Sequence, residues 1–314
     1  MRRAGVAVAL LCAALAAAGC GLGAGESRQG GATVTVTRDF GSREVGSGSE
    51  DALRGGETVM RQLERGFEVD TRYGGGFVGA INGVAGGRED GRPVDWFYYV
   101  NGIEAGEGAA ERKLHPGDDV WWDHHDWGSA MRVPAVVGAF PEPFISGSEG
   151  KKFAVRLGCA PDAGDVCDEV EQRLKQAGVN VGGRSALGGI GGPGVLRVEV
   201  GRWRDVRGEA PTRVLEKGPA VSGVFAVPSP AGGSIALLDP RGRRERTLGP
   251  GGGLIAATAL KDEAPTWIVT GTDAVGLAAA AALLEADSLR DHFAIAVEVG
   301  RAVPVPVVPE PEAP

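Results

Sequence analysis

Apolar and polar positions alternate with a period of two over TVTVTRDF (Thr33–Phe40), and the β-branched residues there predict a strand. The following GSREVGSGSEDALRGG is polar without a period and reads as a loop. In ETVMRQLERG, Val59, Met60 and Leu63 share one helical face, and Gly66 suits the helix end. FVGAING (Phe77–Gly83) and DWFYYVNG (Asp95–Gly102) are strands that each run into an Asn-Gly pair. Such pairs suit tight hairpins, whose central residues need positive φ. DDVWWDHHDW (Asp118–Trp127) follows a Pro-Gly turn as the last strand of a β-α-(β)-β-β-β order. Strand geometry puts Val120, Trp122, His124 and Asp126 on one face and Trp121, Asp123, His125 and Trp127 on the other. Val120 and Trp122 mark the core face, which leaves Trp121, Asp123 and His125 facing a partner or solvent.

Beyond AFPEPFISGSEGKK, whose Pro, Ser and Gly have linker chemistry, the pattern changes. KFAVRLG, VLRVEVGRW (Val195–Trp203), GVFAVPS, TWIVTGT and FAIAVEV predict strands, and SIALLDPRGRRERTL a hairpin. DAGDVCDEVEQRLKQAG predicts an amphipathic helix, with Val166, Val170 and Leu174 aligned. LIAATALKDEA also predicts a helix, as does DAVGLAAAAALLEA, capped by Thr272 or Asp273. Alternating β and α segments favour a layered α/β sandwich with helices covering a sheet. The expected fold class is therefore a small α+β N-terminal domain followed by a separate α/β domain. The expected units are a leader at 1–19, a flexible tether at 20–32, a small domain at 33–130, a linker at 131–150, an α/β domain at 151–300 and an extended, disordered Pro-rich tail at 301–314.

The small domain resembles a known family. FVGAINGVAGG, followed by DWFYYVNGIEAGEGAAERKLHPGDDVWW, is similar to the transcobalamin-like C-terminal domain found in bacterial surface proteins. The matching positions are Ile81, Asn82 and Gly83; Trp96, Tyr98, Val100, Asn101 and Gly102; and Leu114, Gly117, Asp118, Val120 and Trp122. The resemblance implies a β-grasp-like fold. In vitamin B12 carriers this domain covers one side of the corrin ring and an α-helical barrel covers the other; no segment here reads as such a barrel. Most of the aromatic residues, including all three tyrosines and four of the six tryptophans, lie in this part. Trp96 and Tyr98 share a strand face and read either as core or as an exposed aromatic patch. The candidate ligand-binding residues are Phe77, Trp96, Tyr98, Tyr99, Asn101, Trp121 and His125.

The first twenty residues, MRRAGVAVALLCAALAAAGC, have a basic start, an apolar run and small residues before Cys20, as in a secretory signal. Leu15-Ala16-Ala17-Ala18-Gly19-Cys20 resembles the lipobox of bacterial lipoproteins, which implies cleavage before Cys20 and lipidation on it. The expected location is the outer face of the cytoplasmic membrane. GLGAGESRQGG then reads as the tether. With Cys12 in the leader and Cys20 lipidated, Cys159 and Cys167 remain. An exported location permits a disulfide joining a strand end to the following helix; a metal or redox pair is the competing reading.

The net charge of −8 falls to about −10 once Arg2 and Arg3 leave with the leader, which argues against nucleic acid as a partner. GIGGPG (Gly189–Gly194) precedes a strand, so it lacks the helix N-terminus that phosphate binding uses. GPGGGLIAATAL (Gly249–Leu260) precedes a helix in this reading, but no Gly-Lys-Ser/Thr follows. Thr270, Thr272 and Asp273 fit N-capping, and Arg241, Arg243, Arg244 and Arg246 fit a solvated hairpin tip. No catalytic or metal constellation and no cofactor motif stands out. The expected function is non-enzymatic binding of a small ligand, corrinoid-like or an envelope component. A structural or interaction module serving an importer or envelope complex is the alternative. A metal-assisted enzyme built on His124 and His125 is a weaker one, because the two side chains diverge.

Overall fold

The computed structural model describes residues 25–189 and 191–308. The expected leader, the expected lipidation site Cys20 and residues 309–314 lie outside them. The chain is rich in sheet, with few helices: a mixed α+β protein.

The N-terminal part runs β1 (Gly25–Arg38), β2 (Arg43–Gly55), a helix Val59–Gly66, β3 (Val69–Arg72), β4 (Phe77–Ile81), β5 (Val84–Ala85), β6 (Gly87–Glu89), β7 (Arg92–Val100), β8 (Ile103–Glu104) and β9 (Asp119–Asp126). A six-stranded sheet has the order β2-β1-β9-β7-β6, with β8 on β7. Only β1 and β9 pair in parallel, Val34 beside Val120 and Val36 beside Trp122. One face of this sheet packs on the helix and the small β3-β4-β5 sheet, through Val34, Val36, Leu63, Ile81, Trp96, Tyr98, Val120 and Trp122. Thr58 caps the helix by accepting from Arg61 N. The two Asn-Gly pairs take the expected left-handed conformations: φ is 49° and 78° at Asn82-Gly83, and 55° and 71° at Asn101-Gly102.

The polar stretch read as a loop is strand β2. It pairs only with β1 and is mostly exposed, so neither face imposes an apolar period on it. Residues 25–32, expected as part of a tether, lie in β1.

The C-terminal part runs β10 (Ala154–Cys159), a helix Gly164–Gln176, β11 (Val181–Ala186), β12 (Val195–Arg202), four short helical turns up to Ser222, β13 (Ala226–Pro228), β14 (Ile235–Leu238), β15 (Arg244–Leu248), β16 (Gly253–Thr258), β17 (Thr266–Gly271), a helix Ala274–Ala282, a short helix Ala286–Leu289, β18 (Ala294–Glu298) and β19 (Arg301–Val305). A seven-stranded sheet has the order β11-β10-β12-β17-β16-β18-β19, parallel from β11 to β17 and antiparallel beyond. The helices Gly164–Gln176 and Ala274–Ala282 cover one face, over Leu157, Val198, Trp267, Val269 and Ile295. The opposite face of β16, β17 and β18 packs on the β13-β14-β15 sheet through Leu254, Ala256, Ile268 and Phe225.

LIAATALKDEA is not a helix: its apolar half is β16, a strand inside the sheet with every residue buried. A strand covered on both faces shows an unbroken apolar run, which periodicity cannot tell from a buried helix. Residues 301–305, expected as disordered tail, form β19.

The segment 131–150 is built into the cores. Ala135, Val137, Phe140 and Phe144 join the helix-covered core, and Val133 and Val136 join the cluster on the other face. Val137 N donates to Phe293 O at 3.2 Å. Gly138 is needed where it stands: a Cβ there would lie 2.7 Å from His292 N and 2.8 Å from the Trp121 ring.

Candidate functional site

Strand parity on β7 and β9 divides the aromatic residues into two sets. Trp96 and Tyr98 face the helix side, Tyr98 stacking on Trp122 at 4.8 Å and Trp96 meeting the His124 ring at a tilt, 5.0 Å away. Phe97 and Tyr99 face the other way, against His125 and Trp121. The candidate ligand residues therefore do not form one surface.

Phe77, Trp96 and Tyr98 do come together. With Trp122, Ala105 and Ala109 they line a cavity of about 200 Å³. Trp96 and Tyr98 are 5% and 8% exposed, whereas Phe77, at the start of β4, is 37% exposed. The polar ends of the two buried rings are already satisfied. Trp96 Nε1 donates to Val84 O at 2.9 Å and Tyr98 Oη to Glu107 O at 2.7 Å. Trp96 and Tyr98 therefore present ring faces with no hydrogen-bonding group in need of a partner, whereas the buried Trp122 Nε1 has no partner among the described residues. Glu104 and Glu107 complete its lining. Burial pushes the Glu104 carboxyl up, against the pull of Arg132, and burial also raises the Tyr98 phenol.

Tyr99, Trp121 and His125 lie in a buried seam instead. The face expected to look outward is covered by the C-terminal part of the same chain, where Phe293 meets Trp121 at 5.2 Å, His125 at 5.4 Å and Tyr99 at 5.7 Å. Phe40 lies between His125, 4.6 Å away and tilted to it, and Phe225, which it meets edge-on at 5.2 Å. Asp123 is fully buried here and accepts from Thr37 Oγ1, Phe40 N and Gly41 N, with His125 Nδ1 at 2.8 Å. Trp121 Nε1 donates to Thr37 Oγ1 at 2.8 Å. This network orders the β1–β2 turn against β9.

Asn101 sits in the turn after β7, its Nδ2 donating to Asp118 Oδ1 and Gly147 O, both at 2.9 Å, and its Oδ1 accepting from Asp119 N at 2.8 Å. It ties the hairpin to β9 and to the 131–150 segment. His124 and His125 diverge, as strand geometry requires. His124 approaches Ala85 O at 3.2 Å, and burial lowers its pKa. Among the described residues no group of three or more His, Cys, Asp or Glu side chains is arranged to hold a metal.

Cys159 at the end of β10 and Cys167 in the following helix are bonded, their Cα atoms 6.2 Å apart. Asp273 caps the helix Ala274–Ala282 through Gly276 N and also accepts from Gly251 N, while Thr272 Oγ1 donates to Gly249 O. These bonds occupy the glycine loop with its own neighbours. Phe40 and Phe293 went unrecognised in the sequence as partners of the aromatic strands, because nothing in the pattern says that two segments so far apart share a seam.

Among solved structures the chain is similar to a "putative metal binding protein" from Ruminococcus gnavus, at 14% identity over 31% of this chain and 98% of that one, with a TM-score of 0.24. It is also similar to haptocorrin in complex with Cbi, at 15% identity over 32% of this chain, with a TM-score of 0.24. The match spans only 26% of haptocorrin's length. No curated protein matches the chain. Residues 56–126, from just before the helix Val59–Gly66 to the end of β9, match the model of a domain of unknown function, DUF4430.

Proposed function

We propose that this chain is an extracytoplasmic lipoprotein, anchored through Cys20, that binds a ligand without catalysis in the aromatic cavity of its β-grasp-like N-terminal part. The observation that carries the reading is the cavity floor. Trp96 and Tyr98, beside Trp122, offer ring surface whose polar ends are satisfied elsewhere, behind the half-exposed Phe77. A cavity of about 200 Å³ is smaller than the usual ~300–1,000 Å³ of a whole-ligand pocket. The fitting occupant is one ring or apolar group projecting from a larger molecule, such as the edge of a corrinoid or an apolar substituent of an envelope component. Titration with corrinoids, other tetrapyrroles and envelope glycans, followed by tryptophan fluorescence, tests this. Saturable quenching weakened roughly tenfold by Phe77→Ala is expected for loss of an aromatic contact. No response to any of these compounds would sink binding of those classes. For the anchor, Cys20→Ala is expected to move the protein from the membrane fraction to the soluble fraction, and continued membrane retention would refute lipidation there.

A second reading, a protein-interaction module, is favoured by Tyr73, which is 89% exposed and meets Phe77 edge-on at 6.1 Å. It predicts a co-purifying envelope protein lost with Tyr73→Ala and no saturable response to the small molecules.

A further inference from the structure

We propose that the seven-stranded sheet carries a second, separate binding site, for a small zwitterion bearing both an ammonium group and a carboxylate, between Glu199 and Arg197 over Gly158. The β13-β14-β15 sheet and the aromatic seam cover β16, β17 and β18 on the face away from the long helices. Over β10, β11 and β12 the same face opens into a cavity of about 360 Å³ lined by Arg156, Gly158, Ser185, Arg197 and Glu199, among others. That volume falls within the usual small-molecule range of ~300–1,000 Å³.

Two buried side chains of opposite character each leave one polar atom without a partner there. Glu199 is 1% exposed, and its Oε2 has no hydrogen-bond partner among the described residues. Arg197, two residues earlier on β12 and on the same face, is also buried, and its Nε donor has none either. The rest of its guanidinium is held in place: Nη2 donates to Glu263 Oε2 at 3.1 Å and to Thr266 Oγ1 at 3.4 Å. A buried acceptor and a buried donor left without partners are each costly, more so when charged.

The backbone makes room for this arrangement. Gly158 lies beside Glu199 on the neighbouring strand, and a Cβ there would stand 2.3 Å from Oε2. Arg156 adds positive charge to the same wall. It donates to Gly182 O at 2.6 Å and is fixed in position. An ammonium group would complete Glu199, and a carboxylate would complete Arg197 and face the Arg156 guanidinium. Burial and the nearby Glu209 push the Glu199 carboxyl up to about 7, as expected for an acid awaiting a cation.

The test is isothermal titration calorimetry of the purified chain with glycine, alanine, serine, glutamate and lysine. Propionate and ethylamine serve as analogues lacking the ammonium or the carboxylate. A saturable heat with at least one amino acid is expected, with both analogues at least ~tenfold weaker than alanine or the tightest amino acid. Glu199→Gln, with folding checked by circular dichroism, is expected to weaken that amino acid by a similar ~tenfold factor. The proposal is overturned by no saturable heat with any amino acid, by equal binding of propionate, or by unchanged affinity in folded Glu199→Gln. If that variant does not fold, the analogue series on the unaltered protein decides.

Discussion

Glu199 links stability to pH in a direction opposite to most surface carboxylates. Its folded pKa is raised from 4.5 to about 7, chiefly by burial and then by Glu209, with Arg197 opposing. Between these values the folded chain keeps a proton that the unfolded chain has released, so this group's contribution falls as pH rises through that window. The full effect is about 3 kcal/mol. Glu199→Gln removes it. Urea unfolding at about pH 5 and about pH 8 is therefore expected to show the variant gaining on the native chain by roughly this amount at the higher pH. An unchanged gap between the two proteins would show that the carboxyl is not held protonated. Nothing in VLRVEVGRW marks Glu199 as buried, because an alternating strand ordinarily puts its charged face in water. By contrast, the divergence of His124 and His125 was legible from their adjacency alone, since strand parity admits no exception without a bulge.

Among the elements, hairpins were the most legible, and the reason is local. An Asn-Gly pair needs no distant information to specify its turn, and both pairs adopt positive φ. Asn101 carries more than a turn, because its side chain holds Asp118, Asp119 and Gly147 together. Asn101→Ala is expected to cost about 3–5 kcal/mol, from strain at positive φ plus the buried groups left unpaired. Asn82→Ala should cost less, because Asn82 is exposed and its side chain accepts a single bond, from Glu68 N. Denaturant midpoints of the two variants compare them directly, and equal losses would deny Asn101 its cross-linking part. Strands β2 and β16 were illegible for opposite reasons. One is polar on both faces at a sheet edge, and the other is apolar on both faces inside a sheet. In each case the alternation that identifies a half-buried strand is missing.

At the scale of the whole molecule, the chain reads in sequence as two units and packs as two sheets with a common cluster. Phe40, Tyr99 and Trp121 from the first pack with Phe225 and Phe293 from the second, and the 131–150 segment threads between them. Composition marks that segment as a linker by its Pro and Gly content, but it cannot show that its valines and phenylalanines fill two cores. Phe293→Ala is expected to destabilise the protein by about 3–5 kcal/mol. The change in tryptophan fluorescence from the first sheet should coincide with the loss of overall secondary structure during denaturation. Two separated transitions would show that the shared cluster does not couple the sheets.

The parallel pairing of β1 with β9 sets an order in time. Thr33 and its neighbour Asp119 are 86 residues apart in sequence, so β1 can form its hairpin with β2 long before its second edge is filled. The aromatic seam waits longer still, because Phe293 lies far beyond Tyr99 and Trp121 in sequence. During synthesis from the N-terminus, Tyr99 and Trp121 would remain uncovered until residue 293 had emerged. A chain halted before residue 293 would hold a nearly complete first sheet with an oily face, the kind of intermediate on which a folding chaperone acts.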